Sequence, residues 1–293
     1  MRSMIEPSKK KIWAYLTPGI LIYAFVVFIP ILYAIYYSFF DWSGGTHMTF
    51  IKFENYSKLI KDMDFWGAIK NNLILVVVCI IGQIGLAFVM SILLNSRQAR
   101  NKQLHMSIAF FPSTLAAIVI GSVWSIIFDY RYGLLNWALT ALGHGDSIQP
   151  WLSNPKLSIY FVAIPVIWQF IGYYLIIIMS AYSSIDKSLL EAAEIDGATS
   201  IQKSRYITLP IIKPALVVCL VLCIAGNMKI FDHIYVMTGG AANTMVGAMY
   251  AYNVSFKMMK MGYGSAVAIG ILLVSLVITF ASKQLSSLGA NND

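Results

Sequence analysis

Six long apolar segments constrain the fold of this chain more than any other feature of its sequence. A helix needs about 20 mostly apolar residues to cross the roughly 30 Å of hydrocarbon in a bilayer. Charged residues make up only 12% of the 293 residues, against about 25% in soluble domains. We therefore predict an all-α, polytopic integral membrane protein with six transmembrane helices. The predicted spans are 12–40, 70–94, 107–128, 158–182, 214–231 and 264–282.

The distribution of lysine and arginine predicts how these spans are oriented. An even number of spans places both termini on the same side of the membrane. Basic residues are densest in the N-terminal flank and in the 95–106 and 183–213 loops, and short basic loops mark the cytoplasmic side. The first apolar segment is too long for the core of a signal peptide, so we expect it to be retained. The predicted organisation is a cytoplasmic flank at 1–11, a six-helix domain at 12–285 and a cytoplasmic polar tail at 286–293.

A polar loop at 186–213 interrupts the apolar pattern and has the signals of a helix start. Asp186 or Ser188 can cap a first helix, because short oxygen-bearing side chains accept the free N–H groups of a first turn. Ser188 and Glu191 also have the spacing of an S-x-x-E capping box. We therefore predict a short helix in the first part of this loop.

The second part of the loop has signals for a break and a second short helix. Gly197 suits the left-handed or closely approached position at which a helix ends. Thr199 or Ser200 can cap the next helix, and Pro210 and Pro214 are expected to stop it before the fifth span. From spacing alone, the loop is either a well-capped connector or a rigid surface that docks into a partner.

The loop sequence EAAEIDGATSIQKSRYITLPIIKP closely resembles the EAA motif of ABC-importer permease subunits. It is most similar to the carbohydrate-uptake group, in which E-A-A-x-I-D-G-A is followed by I-T-L-P. In that family the loop forms a coupling helix that sits in a groove on a cytoplasmic ATPase subunit. The resemblance implies ATPase-coupling roles for seven matching residues: Glu191, Ala192, Ala193, Asp196, Gly197, Leu209 and Pro210.

The resemblance extends over nearly the whole chain and implies the type I fold of ABC importer permeases. The segment FDHIYVMTGGAANTM at 231–245 resembles the F-D-x-I-Y-V-x-T-x-G-G-P segment of maltose-transporter-type first permease subunits. Ala241 stands where that group usually has proline. This departure bears on the shape of an outer loop, and hence on how a binding protein would dock there.

The same resemblance implies a set of partners and a location. The implied partners are a second permease subunit that completes a heterodimer, two cytoplasmic ATPase subunits and an extracytoplasmic solute-binding protein. The chain itself would hold no cofactor, since ATP and Mg would be bound by the partner ATPase subunits. The implied location is a bacterial or archaeal cytoplasmic membrane, with membrane lipid around the spans and both termini in the cytoplasm.

The sequence contains no recognisable catalytic motif, nucleotide-binding motif or ion-coupling site. It lacks a G-x-x-x-x-G-K-[ST] phosphate loop, H-E-x-x-H and G-x-S-x-G. Acidic residues are almost absent from the spans, which disfavours a proton- or sodium-coupled secondary carrier. Cysteines and histidines do not cluster, so no metal site is predicted, and the basic residues are too dispersed for nucleic-acid binding. We therefore predict a non-enzymatic transport subunit rather than a secondary carrier, a membrane enzyme or an assembly factor.

Polar and aromatic residues within the spans are candidate solute contacts. Sugars stack their apolar faces on aromatic rings and hydrogen-bond to amides, although the same residues also serve as packing between membrane helices. The scarcity of charge in the spans favours a sugar or small oligosaccharide. A polyol or a phosphodiester is the alternative, and Lys229 can serve a carboxylated sugar or a phosphate. The candidate contacts are Gln83, Trp124, Trp168, Gln169, Tyr173, Tyr174 and Asn227.

Overall fold

The computed structural model describes residues 9–95 and 100–288. The predicted flank at 1–11 is therefore described only from residue 9, and the predicted tail at 286–293 only as far as residue 288. Arg97 of the basic 95–106 loop lies outside the described residues. The helices are α1 Lys9–Tyr23, α2 Ile29–Tyr37, α3 Glu54–Lys61, α4 Met63–Cys79, α5 Leu86–Asn95, α6 Lys102–Phe110, α7 Ala117–Ile127, α8 Leu134–Ala141, α9 Ser158–Tyr182, α10 Lys187–Ile195, α11 Ser200–Lys203, α12 Leu209–Met228, α13 Asp232–Met237, α14 Gly247–Tyr252 and α15 Met261–Leu288.

Apolar helical stretches of membrane-spanning length dominate the described part of the chain. Five are continuous, and a sixth is a bent pair of helices. π-helical turns join α1 to α2, α4 to α5 and α11 to α12 without breaking these stretches. The predicted helical, polytopic membrane fold is confirmed. The continuous stretches are Lys10–Tyr37, Met63–Asn95, Ser158–Tyr182, Ile201–Met228 and Met261–Gln284.

The chain divides into two compact units, and the first contains residues 1–62 and 251–270. It includes a β-hairpin that an all-α prediction does not anticipate, formed by strands β1 (Phe40–Trp42) and β2 (Met48–Phe50). The strands pair antiparallel with Phe40 opposite Phe50, and the two rings lie 5.2 Å apart. Such cross-strand aromatic pairs stabilise a hairpin, so the first helix ends at Tyr37 rather than at residue 40.

A close approach of backbone to backbone ties this hairpin to the start of α15 within the first unit. A Cβ on Gly262 would lie 2.0 Å from the carbonyl oxygen of Phe40, so no larger residue fits there. The Tyr263 hydroxyl donates to the carboxylate of Asp62 nearby. Close packing against the hairpin therefore explains why residue 262 is a glycine.

Helix α9 lies at the centre of the second unit, which contains residues 63–250 and 271–293. It contacts α4, α5, α6 and α12, and half of its most apolar part is buried, the largest fraction among the five continuous stretches. Gly172 permits the close contact with α6, because a Cβ there would lie 2.0 Å from the carbonyl oxygen of Ala109. A further apolar cluster joins α4, α12 and α15 through Val76, Ile224, Met228, Leu220, Val274 and Ile278.

The third predicted span, 107–128, is not one straight helix, and in this detail the prediction is wrong. Helix α6 passes through a 3₁₀ turn, Phe111–Thr114, and the chain then bends by 96° into α7. The turn contains a proline, and Leu115 and Ala116 are extended with ψ of 149° and 134°, so the helical hydrogen-bond ladder stops. Gln169 on α9 donates to the Leu115 carbonyl at 3.0 Å, which satisfies one group freed by the break.

The fifth span begins earlier than predicted, inside the 186–213 loop. The expectation that Pro210 and Pro214 would end the second loop helix is wrong, because α11, a π-helical turn at Ser204–Thr208 and α12 form one stretch, Ile201–Met228. Proline lacks an N–H and interrupts an ordinary helical ladder. Here the wider π turn ends at Thr208, two residues before Pro210, and local π geometry is one way in which membrane helices accommodate proline.

Two adjacent asparagines on α4 hold the segment that follows α12. Asn72 accepts the Gly247 N–H through Oδ1 at 2.7 Å and donates from Nδ2 to the Asn227 carbonyl at 3.0 Å. Asn71 donates from Nδ2 to the Asn243 carbonyl at 3.0 Å. Both side chains are buried, and buried amides with satisfied bonds fix the position of irregular backbone. The second span therefore anchors this connecting segment.

Ala241 stands where the family usually has proline, and its backbone N–H forms a hydrogen bond that proline could not form. That group donates to the Thr238 carbonyl at 3.0 Å, and the Ala241 carbonyl accepts from Thr244 Oγ1 at 2.6 Å. Gly239 and Gly240 precede it in left-handed conformation, with φ of 61° and 81°. A proline at 241 would lose the first of these bonds, so the tight loop in this chain is closed partly by a bond that proline cannot make.

Candidate functional site

The first helix of the 186–213 loop, α10, starts at a capping aspartate. Asp186 accepts the Ser188 N–H through Oδ1 at 2.9 Å, and this bond to the backbone lowers the pKa of the Asp186 carboxyl. Of the two caps predicted, Asp186 is therefore the one used. The predicted box between Ser188 and Glu191 does not form, because Ser188 lies inside the helix, one position past its first residue, rather than at the cap.

Gly197 ends α10 in the conformation that the sequence predicts. Its φ is +76°, and a Cβ there would meet no atom within 4 Å, so conformation rather than space requires glycine. The Ala198 N–H donates to the Ala193 carbonyl at 2.9 Å, and the Gly197 N–H to the Glu194 carbonyl at 3.1 Å. These two bonds are those of a Schellman motif. The helix end is therefore fully closed.

A reciprocal capping box starts the second helix of the loop. Thr199 donates its backbone N–H to Gln202 Oε1 at 2.7 Å, and the Gln202 N–H reaches back to Thr199 Oγ1 at 3.3 Å. A capping box was predicted for α10, but the structure has it at the start of α11, with glutamine in place of glutamate. Thr199 is confirmed as the cap between the two candidates, and α10 and α11 are joined by a short, well-ordered turn.

An ion pair links the two helices of the loop. Lys203 Nζ lies 2.6 Å from Glu194 Oε1, and the two side chains are only 18% and 34% exposed. Partial burial reduces solvent screening, so this pair holds the geometry better than an exposed one. By contrast, the Glu191 side chain is exposed, and no described side chain forms an ion pair with it.

The exposed face of the loop combines small, acidic and apolar residues. Ala193 is buried, whereas Ala192, Asp196 and Gly197 are exposed. Ile195 is 87% exposed and adds an apolar side chain to this face. A rigid helix with a free acid and an exposed isoleucine is chemically suited to docking into a cleft. Leu209 and Pro210 lie farther along, in the first turn of α12.

A cavity of about 330 Å³ lies among α7, α9, α12 and α13 in the second unit. Amide, phenol and imidazole groups line it together with apolar side chains, and Lys229 and Asp232 add one charge of each sign. Four of the seven candidate solute contacts lie in its wall. The lining residues are Gln83, Ala117, Val166, Phe170, Tyr173, Tyr174, Leu222, Gly226, Asn227, Lys229, Ile230, Phe231, Asp232 and His233.

The four candidates in the wall differ in how free their polar atoms are. Gln83 is fully buried, donates from Nε2 to the Val166 carbonyl at 3.0 Å and accepts from Cys223 Sγ at 3.3 Å. Asn227 donates from Nδ2 to the Cys223 carbonyl at 2.8 Å. The Tyr173 hydroxyl makes no hydrogen bond with the described residues, and Tyr173 is 37% exposed. Tyr173 is therefore better placed than Gln83 to bind a solute.

The other three candidates lie outside the wall of the cavity. Gln169 is buried and makes two bonds, one to Leu115 and one from Oε1 to His233 Nε2 at 2.9 Å. Trp124 and Trp168 contact each other edge to face at 6.0 Å. Trp168 borders a separate apolar groove that is also lined by His105 and Pro112. The packing alternative is thus favoured by the contacts of these three residues.

Sequence reasoning missed the Phe231–Asp232–His233 side of the cavity. The sequence analysis used these residues only as part of a family resemblance and did not predict that they line a cavity. They follow the fifth apolar segment, in a stretch that looks like an outer loop. The available signal was a run of aromatic, acidic and imidazole groups directly after Lys229 at the end of a span. Among the described residues, no group of three or more His, Cys, Asp or Glu side chains has the arrangement of a metal site.

The sequence profile of one family, "Binding-protein-dependent transport system inner membrane component", matches residues 83–287. The chain belongs to this family. A probable ABC transporter permease protein of Pyrococcus horikoshii is 33% identical over 279 residues, which cover 93% of this chain and 94% of that protein. AmyD, a probable starch degradation products transport system permease protein of Thermoanaerobacterium thermosulfurigenes, is 32% identical over 278 residues, 94% of this chain and 93% of AmyD.

A solved structure has the same fold. A chain of a bacterial alginate ABC transporter, crystallised in complex with an alginate pentasaccharide-bound periplasmic protein, superposes with a TM-score of 0.82 at 21% identity. The match covers 95% of this chain and 94% of that chain. The predicted ABC importer permease fold is confirmed, and this chain is an inner membrane component of a binding-protein-dependent transport system.

Proposed function

We propose that this chain forms part of the translocation path for a sugar or small oligosaccharide in an ATP-driven, binding-protein-dependent importer. The observation that carries the proposal is the cavity beside α9, α12 and α13. Its volume of about 330 Å³ falls within the usual range of about 300–1,000 Å³ for small-molecule sites. AmyD is named for the transport of starch degradation products, which supports the same class of solute.

The chemistry of the cavity wall suits a neutral hydroxylated solute. Phe170, Tyr173 and Phe231 offer aromatic faces for the apolar side of a sugar ring. Asn227 and the free Tyr173 hydroxyl offer hydrogen bonds to its hydroxyl groups. Aromatic residues with a polar end bind well where one side of the ligand is apolar and the other is not. Because such contacts are individually weak, the solute is held loosely enough to be released.

The coupling of this path to ATP is assigned to the 186–213 loop. The capped α10, closed by Gly197 and braced by the Glu194–Lys203 pair, supports a rigid element that transmits motion without bending. Glu191 and Ala192 lie on its exposed face, where an ATPase subunit would contact them. ATP binding with Mg would occur in that partner, and no group in this chain would take part in hydrolysis.

The remaining partners follow from the same mechanism. A second permease subunit would complete the path as a heterodimer, two ATPase subunits would sit beneath the two permeases, and an extracytoplasmic binding protein would deliver the solute. Movement of the loop would tilt the spans between inward- and outward-facing states, as rigid-body motion about an interface that gives alternating access. The location proposed is a bacterial or archaeal cytoplasmic membrane, with both termini and the loop in the cytoplasm.

A second class of solute is favoured by one observation. Lys229 lines the cavity and is exposed, so a carboxylated sugar or a phosphodiester would find a cation there. Asp232 lies three residues away in the chain and lines the same cavity, which offsets the positive charge. The balance of charges favours the neutral sugar, and the charged solutes form the alternative in the experiment below.

The test is uptake by the assembled transporter. The chain is expressed with its second permease, ATPase and binding protein, purified, and reconstituted into vesicles. Labelled neutral oligosaccharides, a uronic acid oligosaccharide, a polyol and a glycerophosphodiester are offered in turn. We expect uptake of a neutral saccharide only with ATP and the binding protein. Uptake restricted to an anionic solute would support the alternative, and ion-driven uptake by this chain alone would contradict the importer.

A further inference from the structure

A groove of about 270 Å³ lies between the end of the second span and the beginning of the fifth. It is distinct in its lining from the cavity described above, since the two share no residue. Its wall is almost entirely apolar, apart from one serine and one arginine. The lining residues are Phe88, Ile92, Ile201, Ser204, Arg205 and Leu209.

The serine of this groove has an unmet hydrogen bond. Ser204 is 9% exposed, and its Oγ has no hydrogen-bond partner among the described residues. Most buried side-chain hydroxyl groups have a hydrogen-bond partner, either in the protein or in an ordered molecule bound to it such as water. In the π-helical turn at Ser204–Thr208 the usual partner of a helical serine, a carbonyl one turn back, is not engaged by this hydroxyl. The groove therefore holds a buried group that points to a ligand with an oxygen atom.

The arginine of the groove supplies a cation without an internal counter-ion. The Arg205 side chain is exposed, and its guanidinium lies 5.7 Å from the centre of the Tyr206 ring. None of the described acidic side chains forms an ion pair with it. The neighbouring Lys203 is different, because it is already paired with Glu194 at 2.6 Å. An anion is thus the complementary group for Arg205.

The position of the groove along the spans indicates which kind of molecule could supply both an acceptor for Ser204 and an anion for Arg205. The described part of the second span ends at Asn95, and the fifth span begins at Ile201, so the groove lies near the ends of two spans, at the boundary of the hydrocarbon. A molecule that enters there has an acyl chain on one side and a head group on the other. Basic side chains at this level bind anionic lipid head groups.

We propose that this groove binds one anionic phospholipid. Its acyl chain would lie along Phe88, Ile92 and Leu209, its phosphate would meet the Arg205 guanidinium, and an ester or phosphate oxygen would accept the Ser204 hydroxyl. The site lies at the π-helical turn through which the 186–213 loop continues into the fifth span. An occupied groove would therefore brace the junction at which motion of the loop enters the membrane.

The experiment measures lipid binding to the purified full chain by native mass spectrometry. Phosphatidylglycerol and phosphatidylcholine with identical acyl chains are titrated separately in detergent. We expect one phosphatidylglycerol to bind roughly fivefold more tightly than phosphatidylcholine. Arg205→Gln should abolish this preference, whereas the matched control Arg100→Gln, an exposed arginine that does not line the groove, should keep it.

Two further variants separate the groove from general surface charge. Ser204→Ala should weaken binding of phosphatidylglycerol without lowering the unfolding temperature, because the lost hydroxyl has no partner in the protein. Ile92→Trp fills the apolar part and should reduce the binding of both lipids. Equal binding of the two lipids by the unaltered chain, or equal loss in Arg205→Gln and Arg100→Gln, would overturn the proposal. Circular dichroism confirms that each variant keeps its helical content.

Discussion

Gln169 Oε1 lies 2.9 Å from His233 Nε2, and this contact connects the central helix α9 to the short helix α13. Both side chains are buried. The other end of the same amide donates to Leu115 at the break between α6 and α7. One side chain thus contacts both the break after α6 and the short helix α13, whose His233 lines the cavity.

Replacing this glutamine should destabilise the fold. Gln169→Leu removes the partner of the buried His233 Nε2 and of the part-buried Leu115 carbonyl, and a buried group left without its partner costs about 1–3 kcal/mol. We expect a clear drop in the unfolding temperature of the purified chain, measured by differential scanning fluorimetry. Gln103→Leu, at an exposed position on α6, is the matched control and should change little. An unaltered unfolding temperature for Gln169→Leu would show that the two bonds do not hold the break.

Gly197 should be required for its backbone conformation. With φ at +76°, an alanine there is strained by about 1–2 kcal/mol, although no atom blocks its Cβ. Gly197→Ala should therefore reorient the end of α10 and lower solute-stimulated ATP hydrolysis of the assembled transporter, while the chain stays in the membrane. Gly197→Trp should lower it further by adding bulk to the docking face.

The control for that change is Gly67→Ala on α4, where the backbone is helical and the space is open. Alanine is the better helix former, so this variant should keep both its stability and its activity. Full activity of Gly197→Trp would refute the docking role of the loop.

Variants of the two glutamates of α10 should affect different properties, one the coupling to ATP hydrolysis and the other the stability of the fold. Glu191 is exposed and pairs with no described side chain, so Glu191→Lys should leave the unfolding temperature unchanged and reduce ATPase coupling. Glu194→Gln breaks the pair with Lys203 and should lower stability by up to about 1 kcal/mol. The readouts are fluorimetry and ATP hydrolysis on the same preparations. Normal coupling in Glu191→Lys would count against this residue as an ATPase contact.

Tyr173 should contribute to solute affinity through its hydroxyl. Tyr173→Phe removes one hydrogen bond of about 0.5–1.5 kcal/mol, which corresponds to a roughly 2- to 10-fold rise in the KM for uptake. The binding protein's own affinity, measured separately, should not change. Trp168→Phe, outside the cavity wall, should leave KM unaltered. If Trp168→Phe raises KM and Tyr173→Phe does not, the solute path lies on the other side of α9.

The sequence was sufficient for the features that depend on local chemistry. Apolar runs defined the spans, and the fourth, Ser158–Tyr182, agrees to the residue because polar turns bound it on both sides. Gly197 was found because left-handed backbone strongly prefers glycine. The choice between Asp186 and Ser188 as the cap could not be made, since both have suitable side chains and the helix start depends on the contacts of the whole loop.

Features that depend on distant contacts were beyond the sequence. The bend after Thr114 needs the amide of Gln169, which lies more than 50 residues away in the chain. The continuation of the fifth span through Pro210 needs a π-helical turn that has no reliable pattern. Likewise, rotation of α9 about its axis decides that Tyr173 lines the cavity and Trp168 does not. Composition cannot report that rotation for spans that are apolar on every side.

The central claim is that the 186–213 loop docks into an ATPase subunit. The direct measurement is site-specific cross-linking of Ala192→Cys in membranes that contain the assembled transporter. The three native cysteines are buried, so they give little background. We predict that this cysteine, which is exposed, is labelled from the cytoplasmic side and cross-links to the ATPase, and that ATP changes the yield. Labelling only from the outer side, or no cross-link to any ATP-hydrolysing subunit, would contradict the account.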